Sequence, residues 1–355
     1  MTTDKPSLHE RIAKFRAAFP LAESDGQLNL DSKHRAIIDK FFQEGGIENI
    51  DFFNIRNWAG QSDLGAPSSL KFLFSKGNTN FRNAFTYLAG KSFRFKDDEA
   101  LKASLNDDMW IVKNTGAYEL LLKNPVSETK GTTSWVSDNK TSFNMRWLRY
   151  VYIANQILTQ NLVQSNSVWV DIGSFYGGVQ SIVFREKPDS KVVLVDFHHQ
   201  LLRSYLYLSE MFPDANHILD FKSNSEIQSG SFVYVPVQNF GELNQLNIKL
   251  VSNFFSFGEM PRSVFEDYRD SQIIKNSENI YCVNRFVSSP FFERTYDTDL
   301  NIFDYEFKSH NRKYFDVFPM HHYQSIRRSI FGKTRFRNTS SSYFEMISSR
   351  EKFPN

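Results

Sequence analysis

Residues Val168–Gln180, with the sequence Val-Trp-Val-Asp-Ile-Gly-Ser-Phe-Tyr-Gly-Gly-Val-Gln, constrain this chain more than any other stretch. Val168 to Val170 are β-branched and aromatic, the composition of a buried strand. Gly173 and Gly177 break that strand into a turn and withdraw the Cβ atoms that would hold a ligand off the backbone. A helix opening directly after the turn aims its first N–H groups at whatever the turn holds. Strand, glycine turn and helix in this order read as a nucleotide-cofactor loop. The spacing Asp171-x-Gly173-x-x-x-Gly177 lacks the third glycine position of Gly-x-Gly-x-x-Gly, and no Gly-Lys-Ser/Thr follows. Both points argue against a dinucleotide or ATP.

A second run, Lys191-Val-Val-Leu-Val-Asp196, ends in an acid 25 positions after Asp171. On a second parallel strand it places a carboxylate that accepts from both hydroxyls of a ribose. Capping of the following helix is the other reading of Asp196. Further on, the patterns predict a helix over 199–211, strands over 232–237, 246–254 and 279–286, and a helix around 264–274. This alternation predicts an α/β fold with a doubly wound, mostly parallel sheet. Pro236 suits only the carboxyl end of its strand. Ligands of such sheets bind beyond those ends, which nominates Gln238, Asn239, residues 253–259, and Asn284 with Arg285.

The motif acidic-x-Gly-x-x-x-Gly at a strand end resembles that of the class I S-adenosyl-L-methionine (SAM) dependent methyltransferases. The stretch Ser252-Asn-Phe-Phe-Ser-Phe-Gly-Glu-Met-Pro-Arg-Ser-Val-Phe-Glu-Asp-Tyr268 narrows the resemblance. It looks like the sugar O-methyltransferases of bacterial polysaccharide and antibiotic-sugar pathways, in which an Asn, Ser, Glu-Met pattern follows the fourth strand and a Tyr closes the next helix. Leu148-Arg-Tyr-Val-Tyr152 and the Tyr281 to Arg285 strand fit the same family, and the resemblance covers residues 135 to 290.

The resemblance implies a Rossmann-like fold of class I methyltransferase type, SAM as cofactor, and methyl transfer to a sugar hydroxyl of a glycan or nucleotide-activated sugar. The alternatives are methylation of a non-sugar small molecule, a SAM-fold binding or scaffold protein without activity, and a nicotinamide oxidoreductase. By position it implies that Asp171, Gly173 and Gly177 line the methionine part of SAM, with Ser174 and Tyr176 in the same turn. Asp196 takes the ribose. Gln238 and Asn239 stand where related enzymes hold the adenine amino group, and Phe197 either covers the adenine ring or packs in the core. Asn253 at the fourth strand's end joins the cofactor set.

A sugar hydroxyl is a poor nucleophile until its proton leaves, so a general base is expected. The candidates are Glu259 and the pair His321 and His322. Each has a plainer reading. Glu259 precedes Met260-Pro261, where an acid stabilises a helix start. Adjacent histidines on a strand face opposite ways, so at most one enters a cleft. No converging carboxylates, His-x-x-x-His or paired cysteines point to a metal.

The 355 residues divide by texture into a mainly helical accessory region, 1–135, and a methyltransferase domain, 136–355. Apolar spacing predicts helices over 7–18 and 34–43, whereas 54–82 and 102–140 read as irregular connections. Ser142 reads as the N-cap of a long helix leading to the cofactor strand. The formal charge of +2 argues against bulk capture of nucleic acid. The single cysteine, Cys282, excludes an internal disulfide and, with no membrane-length apolar run, points to the cytoplasm. Arg327, Arg328, Lys333, Arg335 and Arg337 interleave with aromatics near the C-terminus. They read as recognition of a phosphate-bearing acceptor, as RNA binding, or as the wet face of an alternating strand. The partner is expected to be a small molecule or a glycan, and no feature sets the oligomeric state.

Overall fold

The computed structural model describes residues 6–19, 105–126, 136–137, 140–143, 145–221, 227–288, 300–320, 326–328, 334–336 and 343–350. His321, His322, Lys333, Arg337, the predicted helix over 34–43 and the stretch 54–82 lie outside them. The chain divides into two compact units, Met1–Ile47 with Gln156–Phe318 and Ser340–Asn355, and Glu48–Asn155 with Pro319–Thr339.

The first unit is built on one eight-stranded sheet. Its strands are β1 (Val168–Ile172), β2 (Lys191–Asp196), β3 (Asn216–Ile218), β4 (Ser231–Pro236), β5 (Ile248–Phe254), β6 (Asn279–Arg285), β7 (His310–Val317) and β8 (Tyr343–Arg350). They lie in the order β7-β8-β6-β5-β1-β2-β4-β3. β1 to β6 are parallel, and β8 is inserted antiparallel between β6 and β7. This is the doubly wound, mostly parallel sheet expected above. The continuous apolar runs explain it: every residue of β1 and β4 is buried, as strands covered on both faces must be. Val170, Ile172, Val193, Val195, Val233 and Val235 supply the core on one face. Pro236 ends β4, where the ladder no longer needs its missing N–H.

Helices α1 (Leu8–Ala18), α2 (Gly178–Glu186), α3 (His198–Met211), α4 (Arg262–Arg269) and α5 (Gln272–Asn276) belong to the same unit. The sequence pattern predicts one helix where α4 and α5 stand. The chain instead breaks at Asp270-Ser271, because the Ser271 hydroxyl accepts from the Ile274 N–H and starts a second helix. A reciprocal capping box between Ser7 and Glu10 opens α1. Its Arg11 pairs with Glu210 at 3.1 Å and its Phe15 packs on Tyr205, so α1 docks on α3 in the sheet's own unit.

His217 on β3 ties this corner together. Its Nε2–H donates to the Phe212 carbonyl at 3.0 Å, leaving Nδ1 to accept from the Tyr234 hydroxyl at 2.9 Å. The ring also stacks on Phe232. Burial, opposed by the Phe212 hydrogen bond and reinforced by Lys14 and Arg11, lowers its pKa from 6.5 to about 4. The unfolded chain therefore takes up a proton that the native ring refuses. Stability falls as pH drops from 6.5 toward 4, by up to about 3 kcal/mol. Urea unfolding of the wild type and His217→Gln across these pH values gives that slope as the difference between the two stability curves.

In the second unit the region read as irregular contains a helix over 105–114 and another at Tyr118–Lys123. Leu105, Met109 and Val112 bury one stripe at helical spacing, which the polar Asn106, Asp107 and Asp108 between them disguise. Ser142 is not an N-cap: it pairs with Ser137 in a short hairpin, and the helix begins at Met145. Trp147 Nε1 donates to the Asn124 carbonyl at 2.7 Å, fixing that helix on its neighbour. Within the cation-rich run, Ile326–Arg328 pairs antiparallel with Thr334–Phe336, with Arg327 opposite Arg335. Among the described residues no helix is long and apolar enough to cross a membrane.

Candidate cofactor and acceptor site

The strand order reverses at β1, whose successor β2 lies on one side and β5 on the other, so the carboxyl ends of β1 and β5 flank the switch point. Three residues of the turn after β1 have left-handed backbone: Gly173 (φ 77°), Phe175 (φ 53°) and Gly177 (φ 88°). The space beside the glycines is filled by protein, not left for a ligand. A Cβ on Gly173 would lie 2.1 Å from Ser256 Oγ, and one on Gly177 2.8 Å from Leu208 Cδ1. Gly173 thus lets the turn after β5 close against that after β1, and Gly177 lets α2 settle on α3.

Three other residues expected to line the site face inward. Asp171 is 1 % exposed, and its two carboxyl oxygens accept from Ser252 Oγ and Gln180 Nε2. Ser252 Oγ in turn accepts from Trp169 Nε1 at 2.7 Å. Burial, with the Asp196 charge adding to it and the two hydrogen bonds opposing, pushes the Asp171 carboxyl up to about 8. Asn253 is fully buried: Nδ2 donates to the Ile172 carbonyl at 2.7 Å and Ser256 Oγ at 2.6 Å. Its Oδ1 accepts from Phe257 N at 2.9 Å and Asn284 Nδ2 at 3.0 Å. Asn284 Oδ1 then takes the Gly258 N–H, so the two asparagines shape the turn after β5. Tyr176, also fully buried, packs edge-on against Phe175 and Tyr207 as a core residue.

Ser174 and Asp196 remain at the edge. Ser174 is buried, and its Oγ has no hydrogen-bond partner among the described residues. Asp196 ties two loops: Oδ2 accepts from Phe175 N and Oδ1 from Phe197 N, both at 2.8 Å. Arg203 on α3 lies within the field of Asp196, which opposes the burial that lowers its pKa to about 10. The Tyr268 hydroxyl is pushed up by burial and then by the same carboxylate. Tyr268 meets Phe240 edge-on at 4.8 Å and tilts against Phe257, forming an aromatic wall beside the exit of β4. Phe197, half-buried, is the N-cap of α3. Gln238 and Asn239 are exposed in the 3-10 segment after β4, and Asn239 Nδ2 donates to Glu242 at 2.6 Å. Sequence reasoning missed Phe240 and Arg203; the available signals were an aromatic directly after Gln238-Asn239 and a cation two helical turns beyond Asp196.

Glu259 stands at the mouth of β5, outside the first turn of α4, which begins at Arg262. It therefore does not serve that helix's dipole. Its partner is Arg285 at the end of β6, 3.7 Å away, and 47 % of its side chain is open. Burial nearby pushes its carboxyl up while Arg285 pulls it down. Arg285 Nε donates to the Tyr343 hydroxyl at 2.9 Å. Phe255, at φ 71°, turns its ring onto Tyr343 and Phe318. Left-handed backbone is uncommon away from glycine and concentrates where loops are held for function; both phenylalanines of this kind lie at the sheet's carboxyl edge.

No family model and no curated protein match the sequence. Solved structures resemble it distantly. Magnesium protoporphyrin IX methyltransferase from Synechocystis PCC 6803, with bound SAM, is 11 % identical over 58 % of this chain and 80 % of that one, at a TM-score of 0.36. Precorrin-6y C5,15-methyltransferase from Geobacter metallireducens GS-15 is 12 % identical over 61 % and 95 %, at 0.34. TrmK of M. capricolum, in complex with S-adenosyl-homocysteine, is 13 % identical over 57 % and 70 %, at 0.32. Likenesses this distant assign neither cofactor nor substrate.

Proposed function

We propose that the chain is a SAM-dependent O-methyltransferase acting on a sugar hydroxyl of a glycan or nucleotide-activated sugar. The joint at Asp196 carries the reading: a buried carboxylate at the end of β2, held by the backbone N–H groups of Phe175 and Phe197, stands at the position where the class I methyltransferase resemblance expects the ribose. The residues around it fit the cofactor. Ser174 offers an unsatisfied hydroxyl, α2 opens without a side-chain cap, and Phe240 and Tyr268 provide an aromatic wall. When bound, SAM supplies an activated methyl group, so the protein's tasks are placement and removal of one proton.

Asp196 orients the ribose, and Glu259, open to solvent at the mouth of the adjacent strand, takes the acceptor proton. Calorimetric titration with SAM, S-adenosylhomocysteine and NAD in parallel tests the cofactor: binding of the first two without NAD supports the reading, and no binding of either overturns it. Glu259→Gln is expected to slow methyl transfer by about 100-fold or more with SAM affinity unchanged. Wild-type turnover in that variant removes Glu259 as the base and leaves His321 and His322.

A further inference from the structure

We propose that Arg285, held against Tyr343, is an oxyanion-binding residue at the acceptor side of the sheet, and that Glu259 is a placeholder which an anionic group of the ligand displaces. The Arg285 side chain is only 14 % exposed. One N–H is fixed by the Tyr343 hydroxyl, and the guanidinium carbon sits 5.7 Å from the centroid of that ring. Tyr343 is itself buried beneath Phe255. Nε is thus committed and the orientation set, while the two terminal nitrogens make no hydrogen bond to any described residue. At 3.7 Å the Glu259 carboxylate balances their charge but lies beyond hydrogen-bond reach.

A mostly buried guanidinium with free donors suits two oxygens of one ligand group, taken side by side. Glu259, half open to solvent, is free to swing away. The matching chemistry is an oxyanion, either a phosphate or a carboxylate on the acceptor. Displacement also changes Glu259: the guanidinium's pull is withdrawn and a second anion stands nearby, and both make the carboxylate more basic. That last step rests on the methyl-transfer reading; anion binding does not.

The full chain is titrated calorimetrically at constant ionic strength with inorganic phosphate and, separately, with glucuronate. Glu259→Gln removes the competing carboxylate and is expected to bind one of the two about fivefold tighter than wild type. Arg285→Gln loses that binding, and Arg285→Lys, which keeps the charge without the fork, falls between. Whichever probe responds identifies the source of the oxyanion. Unchanged affinity in Arg285→Gln, or no tightening in Glu259→Gln for either probe, overturns the proposal, with circular dichroism confirming that each variant is folded. SAM binding is measured on the same samples, so failure of the cofactor reading registers independently.

Discussion

Gly173→Ala is expected to destabilise the first unit by about 3 to 5 kcal/mol, measured by urea unfolding. Two costs combine. The backbone at φ 77° disfavours any Cβ, and the new methyl would meet both Oγ and Cβ of Ser256, at 2.1 and 2.7 Å. Rotating the serine hydroxyl relieves the first contact but not the second. It also breaks the hydrogen bond from Asn253, which anchors the turn after β5. Gly173→Ala with Ser256→Gly removes the clash but keeps the backbone cost and the loss of the Asn253 hydrogen bond, so the double variant recovers part of the loss. Equal destabilisation in single and double variants would show that the two turns do not meet as described. The result also governs how the site is probed: substitution of Gly173 disturbs the fold before it reaches a ligand, and Ser174→Ala is the cleaner test of the turn.

Asp171→Asn is expected to remove the pH dependence of stability that Asp171 imposes. The carboxyl titrates near 3.8 in the unfolded chain and at about 8 in the native one. Between those values the native state holds a proton that the unfolded state has released, so stability falls as pH rises and levels off above 8. Asparagine mimics the protonated acid and keeps the acceptor for Ser252. Relative to wild type, the variant gains up to about 4 kcal/mol between pH 5 and pH 8. A parallel pair of stability curves would instead place an ionised carboxylate in the core. Gln180 determines how well the neutral form is accommodated, since its Oε1 has no partner and a flip of its amide lets it accept the Asp171 proton.

The sheet was legible because its strands advertise themselves. β2 matches the run Lys191–Asp196, and Pro236 marks the end of β4. Both follow from local rules: buried parallel strands are apolar throughout, and proline cannot donate to a ladder. The acid that ends β2 and the glycine turn were legible for the same reason. What lay beyond reach was direction. Asp171, Tyr176 and Asn253 carry functional-looking side chains in the right segments, yet each points into the protein. That choice depends on Ser252, Gln180, Tyr207 and Asn284, up to 81 positions away in the case of Ser252. The Arg285–Tyr343 contact, between residues 58 positions apart, was hidden in the same way. Helix 105–114 was missed for the opposite reason, since local polarity masked a periodic stripe.

The antiparallel insertion of β8 has a consequence for biosynthesis. Residues 279 to 285 emerge from the ribosome well before their partner, Tyr343–Arg350, which pairs with them along seven positions. Until then one flank of the half-built sheet presents unpaired backbone beside Tyr281 and Val283, a surface that invites a second nascent chain or a chaperone. Translation pausing or truncation between positions 285 and 343 therefore leaves an aggregation-prone edge rather than a smaller, stable domain.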